Sequence, residues 1–460
     1  LRDTTLVNGT ILAPDDAISV STELGPNYKN YTDWGTINGA LIAGKDIYIG
    51  CLVKIYFYPF TPPSTSAGSC LNGSSLAVLE QGPNVTAYVP KASWFAGTTG
   101  VSAINIEGSS ITPTDIATAN NVNSCAANPA TGQIVCTSNG TDVYLLSGTS
   151  LVTTLTSGAT GEATFSGGTC ETCGVTMNPL TNQALLTEGN ASGGGAYQFL
   201  DLNSNTFETP FNSERLDNLI SEEVLIDPTR NLILSPNEAG GYEIVNVATT
   251  TSPTFFENNT FEGQTFDSAA EECSTGIALA SDEFTNNLYI ADLMQATFTA
   301  GSPGSWAAPE ALDAFAEFDP FVDTAAGTTG ISIAQGSHIG IVTSEFGGNN
   351  IAAIQLPATS GSGTPAFVDD VYCTLPNEPD GDVFSQGLDP HTVSAYVSPN
   401  TSDAIGLAAD GGPNIGTPSY VAVVDLTKML NTSVVPRTAG TNTCSAGVLP
   451  SSVVSYVVVP

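Results

Sequence analysis

Carboxylates are the one abundant reactive group in this chain: 45 Asp and Glu stand against nine Lys and Arg, with two histidines among 460 residues. Carboxylates brought close together repel, so they must take up protons or share a cation. A hard ion such as Ca²⁺, which takes six to eight oxygen ligands, is the natural partner. One acidic set recurs about ten residues after a repeated turn: Glu188, Glu238, Asp292, Glu345 and Asp410. A second set precedes repeated apolar strands: Glu171, Glu222-Glu223, Glu271-Glu272 and Asp389-Pro390-His391. With both sets on one face, Glu223, Glu238, Glu272, Glu345, Asp389 and His391 form a candidate Ca²⁺ site. A solvated acidic rim is the competing reading, and no Asp-x-Asp-x-Asp-Gly loop argues against it. His391 suits a base, a ligand or a hydrogen-bonded structural role, whereas His338 falls in a turn, where exposure is expected.

The nine cysteines suit an oxidising compartment. Cys125 and Cys136 stand equally far on either side of Ala130-Thr131, which on a hairpin sets them opposite each other at disulfide distance. Cys51 with Cys70, and Cys373 with Cys444, are the other expected pairs. Cys170-Glu171-Thr172-Cys173 leaves Cys273 over, so a bridge forms within that loop or joins one of its members to Cys273. The Cys-x-x-Cys spacing also fits a redox dithiol or half a zinc site. Gly167-Gly168-Thr169 precedes it, however, and no helix start is there to lower a thiol pKa. No Cys-x-x-Cys-His, Gly-x-Ser-x-Gly or phosphate-loop lysine occurs, so neither haem, nucleotide nor Ser-His-Asp catalysis is expected. Nine Asn-x-Ser/Thr sequons, at Asn8, Asn30, Asn72, Asn84, Asn139, Asn190, Asn258, Asn400 and Asn431, make glycosylation permissible. Chance alone supplies about seven.

The elements that must position these groups are short strands. Asn128-Pro129-Ala130-Thr131-Gly132 recurs as Asn178-Pro179-Leu180-Thr181-Asn182 and Asp227-Pro228-Thr229-Arg230-Asn231. Asp282-Glu283-Phe284-Thr285-Asn286 continues the series, with looser copies at Gln335-Gly336-Ser337 and Pro399-Asn400-Thr401-Ser402. The intervals are 50, 49, 55, 53 and 65 residues. Apolar runs flank each turn, and a third and a fourth follow. Four strands in about 50 residues is the unit of a propeller blade. The sequence therefore predicts an all-β chain, a β-propeller with seven blades of four antiparallel strands. Six blades is the runner-up and a pair of sandwiches the alternative. In a single domain over 1–460, the first hundred residues would be a modified seventh copy. Its first hairpin would use 36–43 and 46–50, its third strand 101–106, and 51–95 would be inserted between them. The C-terminal run 453–459 would then close the ring against the N-terminal strands.

This repeat resembles the YVTN-type and lactonase-like β-propellers, in which a strand, an Asx-Pro turn and a second strand begin each blade. The resemblance spans about residues 100–430 and is architectural, since a literal Tyr-Val-Thr-Asn is absent. The family's activities therefore do not transfer, and a metal-dependent, lactonase-like hydrolase is the alternative reading that the acidic sets themselves leave. There Glu223, Glu272 and Glu345 would hold a cation that polarises a carbonyl while His391 or a carboxylate moves protons.

The composition favours a non-catalytic role, either an extracellular binding scaffold or a structural, assembling subunit. A net charge of −36 repels nucleic acid and anionic lipid and attracts cations or basic partners. Its 41% hydrophobic content is enough for a large core. No run approaches the roughly 20 apolar residues of a transmembrane helix. The chain starts at Leu1, which suggests a removed leader and export. The expected partner is an extracellular protein, a glycan or another copy of the chain.

Overall fold

Each repeat is set by a hairpin whose side chains fold back on their own backbone. Asn128 Oδ1 accepts from the Ala130 amide at 2.9 Å, Asn178 Oδ1 from Leu180 at 3.1 Å, and Asp227 Oδ1 from Thr229 at 2.8 Å. The proline between them fixes φ and needs no acceptor. The turn closes on a left-handed residue, Asn182 and Asn231 both at φ 56°, which asparagine tolerates better than most side chains.

In this computed structural model the described residues are 76–91, 99–107, 113–138, 142–156, 174–188, 196–212, 223–237, 242–248, 253–257, 266–282, 287–294, 310–313, 327–344, 349–361, 366–381, 392–409 and 419–459, together with seven short strands before residue 58. The chain divides into two compact units, residues 1–62 and 63–460.

The larger unit is a seven-bladed β-propeller. Blade one comprises Ala77–Gln81, Asn84–Pro90, Val101–Asn105 and Pro113–Ile116, and blade two Val122–Asn128, Gln133–Ser138, Asp142–Ser147 and Ser150–Thr156. Blade three runs from Val175–Asn178 to Thr206–Phe207, and blade four from Leu225–Asp227 to Thr254–Glu257. Blade five holds Phe266–Glu272, Ile277–Asp282, Asn287–Asp292 and Glu310–Asp313. Blade six starts at Thr328–Ala334 and blade seven at Val393–Val397. The first strand of each blade touches the first strands of both neighbours, which closes the ring. These crowded strands carry small residues, as in Val122-Asn-Ser-Cys-Ala-Ala-Asn128 and Thr328-Thr-Gly-Ile-Ser-Ile-Ala334. Small side chains suit the narrow end of a tapering blade. Apolar clusters fill the spaces between blades; one joins Leu232, Tyr242 and Ile244 of blade four to Phe266, Ala278 and Tyr289 of blade five.

Two expectations about the chain ends need correction. Val454–Val459 pairs with Ser419–Asp425 and completes blade seven, rather than joining N-terminal strands. Blade one is complete within residues 77–116, and its first two strands lie inside the stretch expected as an insertion. Only Val101–Asn105 keeps its expected place as third strand. Between its third and fourth strands, blade seven sends out the helix Leu426–Leu430 and then Thr443–Val448, which pairs in parallel with Asp369–Thr374 as a fifth strand of blade six.

In the smaller unit, Gly35–Gly39 pairs in parallel with Leu6–Asn8 and Val53–Phe57. Leu41–Ala43 pairs with Ile11–Ala13, and Ile47–Ile49 with Ile18–Val20, also in parallel. The expected hairpin of 36–43 with 46–50 is therefore replaced by pairings with strands far away in sequence.

Candidate functional site

The face on which each acidic residue lies depends on where its blade turns. Blade five turns at Glu272-Cys273-Ser274-Thr275-Gly276, where the Gly276 amide donates to the Glu272 carbonyl at 2.8 Å and Gly276 has φ 72°. The same bond joins Gly132 to Asn128 at 2.8 Å. Residues 282–286, expected as that turn, come one strand later. Glu271, Glu272 and Asp292 consequently lie on the turn face, opposite to the one expected.

Glu223 stays at the other end. It bridges Ser268 and accepts a hydrogen bond from the Ser268 hydroxyl. Four residues of extended strand, roughly 13 Å, separate Ser268 from Glu272. Glu223 and Glu272 therefore do not belong to one cation site. Glu238, Glu345, Asp389 and His391 lie outside the described residues, as do Glu171, Glu222 and Asp410; Glu188 ends its strand. Among the described residues, no three His, Cys, Asp or Glu are arranged to hold a metal ion.

Several of the described carboxylates join blades instead. Glu107 of blade one accepts from three groups of blade seven: Tyr396 Oη at 3.1 Å, Ser398 Oγ at 3.0 Å and Asn400 Nδ2 at 2.6 Å. Glu80 keeps an exposed surface, yet burial first and the Glu107 charge second push its carboxyl up to about 7. Asn128 Nδ2 donates to Asn182 Oδ1 at 2.7 Å between blades two and three. Tyr197 Oη donates to Glu243 Oε2 at 2.7 Å between blades three and four. Arg230 of blade four pairs with Glu271 of blade five at 2.9 Å. Glu272 of blade five accepts from the Gly336 amide of blade six at 3.2 Å and faces His338 Nδ1 at 3.6 Å. His338, as expected, sits in a turn and keeps some exposure.

A second repeated device escaped the sequence reading. A hydroxyl near the end of the second strand donates back to a carbonyl thirteen residues earlier: Thr137 to Ser124, Thr187 to Gly174, Ser281 to Ser268 and Thr343 to Gly330. It secures the bulged start of the first strand in blades two, five and six. A Ser or Thr five residues past the left-handed turn position was the signal in blades two, three, five and six, at Gly132, Asn182, Gly276 and His338; blade four departs from it, with Pro236 after Asn231, and the signal marks Gly276 rather than Asn286.

Two expected disulfides are present. Cys125 and Cys136 are directly paired on the blade-two hairpin, 4.1 Å apart at Cα. Cys373–Cys444 fastens the fifth strand onto blade six. Cys273, left over in the sequence reading, is itself disulfide-bonded; Cys51, Cys70, Cys170 and Cys173 lie outside the described residues. Of the sequons, Asn84, Asn400 and Asn431 are described and exposed. Asn8 lies in the strand Leu6–Asn8, and the other five fall outside the described residues.

No protein-family profile and no curated protein matches this chain. Solved structures do. A chain of Kuenenia stuttgartiensis hydrazine synthase aligns with TM-score 0.50 and 10% identity, over 80% of this chain and 98% of that one. U3-55K aligns with TM-score 0.47 and 8% identity, over 75% and 92%. A chain of a nidogen/laminin complex aligns with TM-score 0.36 and 13% identity, over 48% and 76%. The first of these similarities supports the propeller architecture and nothing finer.

Proposed function

We propose that this chain is a non-catalytic, extracellular binding scaffold that presents a strongly acidic propeller to a cationic partner. One observation carries the reading. The described carboxylates of the two acidic sets, Glu223, Glu271, Glu272 and Asp292, are engaged in turns and seams by hydroxyls, amides or Arg230. Groups already committed to holding the ring are poor candidates for moving protons on a substrate. The net charge of −36 supports docking to a basic surface, where complementary charge speeds and selects encounter. Two disulfides are compatible with an oxidising, extracellular setting.

Cross-linking of the protein in its native material, followed by mass spectrometry, tests the scaffold. Cross-links to one basic partner, dissolving at high ionic strength, are expected. A parallel panel of esters and lactones, assayed with added Ca²⁺ and with chelator, should show no turnover. Chelator-sensitive hydrolysis by a strictly monomeric, uncross-linked protein would replace the scaffold reading with the hydrolase one.

A further inference from the structure

Two fully buried carboxylates meet a single guanidinium in the seam between blades four and five. Arg230 Nη1 stands 2.7 Å from Asp227 Oδ2 and 2.9 Å from Glu271 Oε1, and both acids are 0% exposed. Asp227 is well supplied, since its Oδ1 also accepts from the amides of Thr229 and Arg230 at 2.8 and 3.1 Å. Glu271 is not: its Oε2 is buried without a hydrogen-bond partner. A charged oxygen there would be neither hydrated nor paired, a cost that a neutral carboxyl escapes.

The surroundings add negative charge rather than balance it. Asp227 and Arg230 face Glu271 from the blade-four turn, Tyr242 from the third strand of that blade, and Glu272 from its own strand. Asp292, on the third strand of blade five, faces Arg230, and His338 of the blade-six turn faces Glu272. Leu232–Pro236 and Thr328–Ala334, which also pack on this strand, carry no titratable side chain. Burial first, then the Asp227 charge, raise the Glu271 carboxyl well above the usual glutamate range against the opposing pull of Arg230.

We propose that Glu271 stands in the folded ring as a neutral acid, and that the joint between blades four and five is a proton-dependent latch that loosens once that proton is lost. With the proton in place, Arg230 and Asp227 form a simple ion pair and Glu271 Oε1 accepts from Nη1 as a carbonyl. Without it, two anions share one cation out of water. The sign is fixed by linkage. The folded-state value lies above the ordinary 4.5, so the stabilisation is complete below that pH and is lost as pH rises through the folded value. Across that window the unfolding equilibrium constant climbs about tenfold per pH unit for this one proton.

The test uses the full chain in a Glu80→Gln background, so that the other raised carboxyl among the described residues does not contribute. Infrared spectra at neutral pH should contain a protonated-carboxyl C=O stretch that Glu271→Gln removes. Glu271→Gln should also flatten the dependence of unfolding on pH by about one proton. Hydrogen exchange of 225–227 and 266–272 should quicken with rising pH in the parent and not in the variant. A parent without the protonated-carboxyl band overturns the proposal, even if Glu271→Gln fails to fold. So does a variant with an unchanged pH slope.

Discussion

Replacing Glu107 with alanine should open the ring at one seam and leave the other six closed. Among the described residues no strand is exchanged between blades one and seven, so their junction rests on an apolar cluster, on three hydrogen bonds to Glu107 and on that of Asn400 to the Pro83 carbonyl. The cluster includes Leu76, Val85 and Ile104 on one side and Tyr396, Leu407 and Val457 on the other. Tyr396 is only 3% exposed, and burial, reinforced by the neighbouring carboxylate, holds its hydroxyl protonated far above the ordinary phenol range. It therefore remains a donor at every accessible pH, and alanine would strand it. A bond to a charged acceptor contributes about 1.5–3 kcal/mol, so losing this one costs about 2 kcal/mol. Ser398 and Asn400 can turn partly to water or to other partners: Asn400 Nδ2 also donates to the Pro83 carbonyl at 3.2 Å. Their two bonds together are worth about 1 kcal/mol.

The sum, about 3 kcal/mol, corresponds to an increase of roughly 100-fold in the opening equilibrium. Hydrogen exchange read by mass spectrometry should register it as about two orders of magnitude of lost protection in 77–90 and 393–397. Peptides of blade three should keep theirs. A double-mutant cycle with Tyr396→Phe should return a coupling of about 2 kcal/mol. Uniform loss of protection around the ring, or a coupling below about 0.5 kcal/mol, would refute the idea that this contact closes the seam.

Three further outcomes are expected. Gly406→Ala should destabilise the protein by about 1–3 kcal/mol in chemical denaturation, because the added Cβ would lie 2.7 Å from Ile341 Cδ1 and 3.1 Å from Leu426 Cδ2. Cys444→Ala should cost about 4 kcal/mol and the double change Cys125→Ala/Cys136→Ala about 3 kcal/mol, following the 71- and 11-residue separations of the two bridges; an inverted order under non-reducing denaturation would rule out loop closure as the cause. Glu80, raised from 4.5 to about 7, should erode stability as pH rises between those values, and Glu80→Gln should remove that part of the slope in the thermal midpoint.

The ring was legible because its hairpins repeat one piece of chemistry. An Asx side chain, a proline and a left-handed asparagine or glycine identify a turn whether or not the surrounding strands resemble each other. Blade five broke the pattern. Glu272-Cys273-Ser274-Thr275-Gly276 has neither Asx nor proline, while Asp282-Glu283-Phe284-Thr285-Asn286 imitates both ends of the motif. That slip of one strand reversed the face assigned to Glu271, Glu272 and Asp292 and so assembled a cation site from residues at opposite ends of their strands. The smaller unit was unreadable for a different reason. Parallel pairing of 6–8 with 36–38 leaves no turn signal, because its partners are joined by long connections rather than hairpins. For Val454–Val459 the strand itself was plain, but nothing in an apolar run names its neighbour.

The composition also acquires a structural meaning that counting charges does not supply. With nine basic residues for 45 acidic ones, most buried carboxylates must be satisfied by neutral donors. Glu107 uses Tyr396, Ser398 and Asn400, and Glu272 uses Ser274 and the Gly336 amide. Asp292 uses Ser360 and the amides of Met294 and Gly361. Short-range hydrogen bonds of this kind are screened little by salt, whereas exposed charges are screened over about 10 Å at moderate ionic strength. Ring closure and partner docking are thus separable: added salt should dissolve contacts made by the acidic surface while the seams hold. Guanidinium groups take the neutral donors' place at two described joints, Arg437 against Asp369 and Arg230 against Asp227 and Glu271; at the second, where both acids are buried, protonation rather than ionic strength has the leverage.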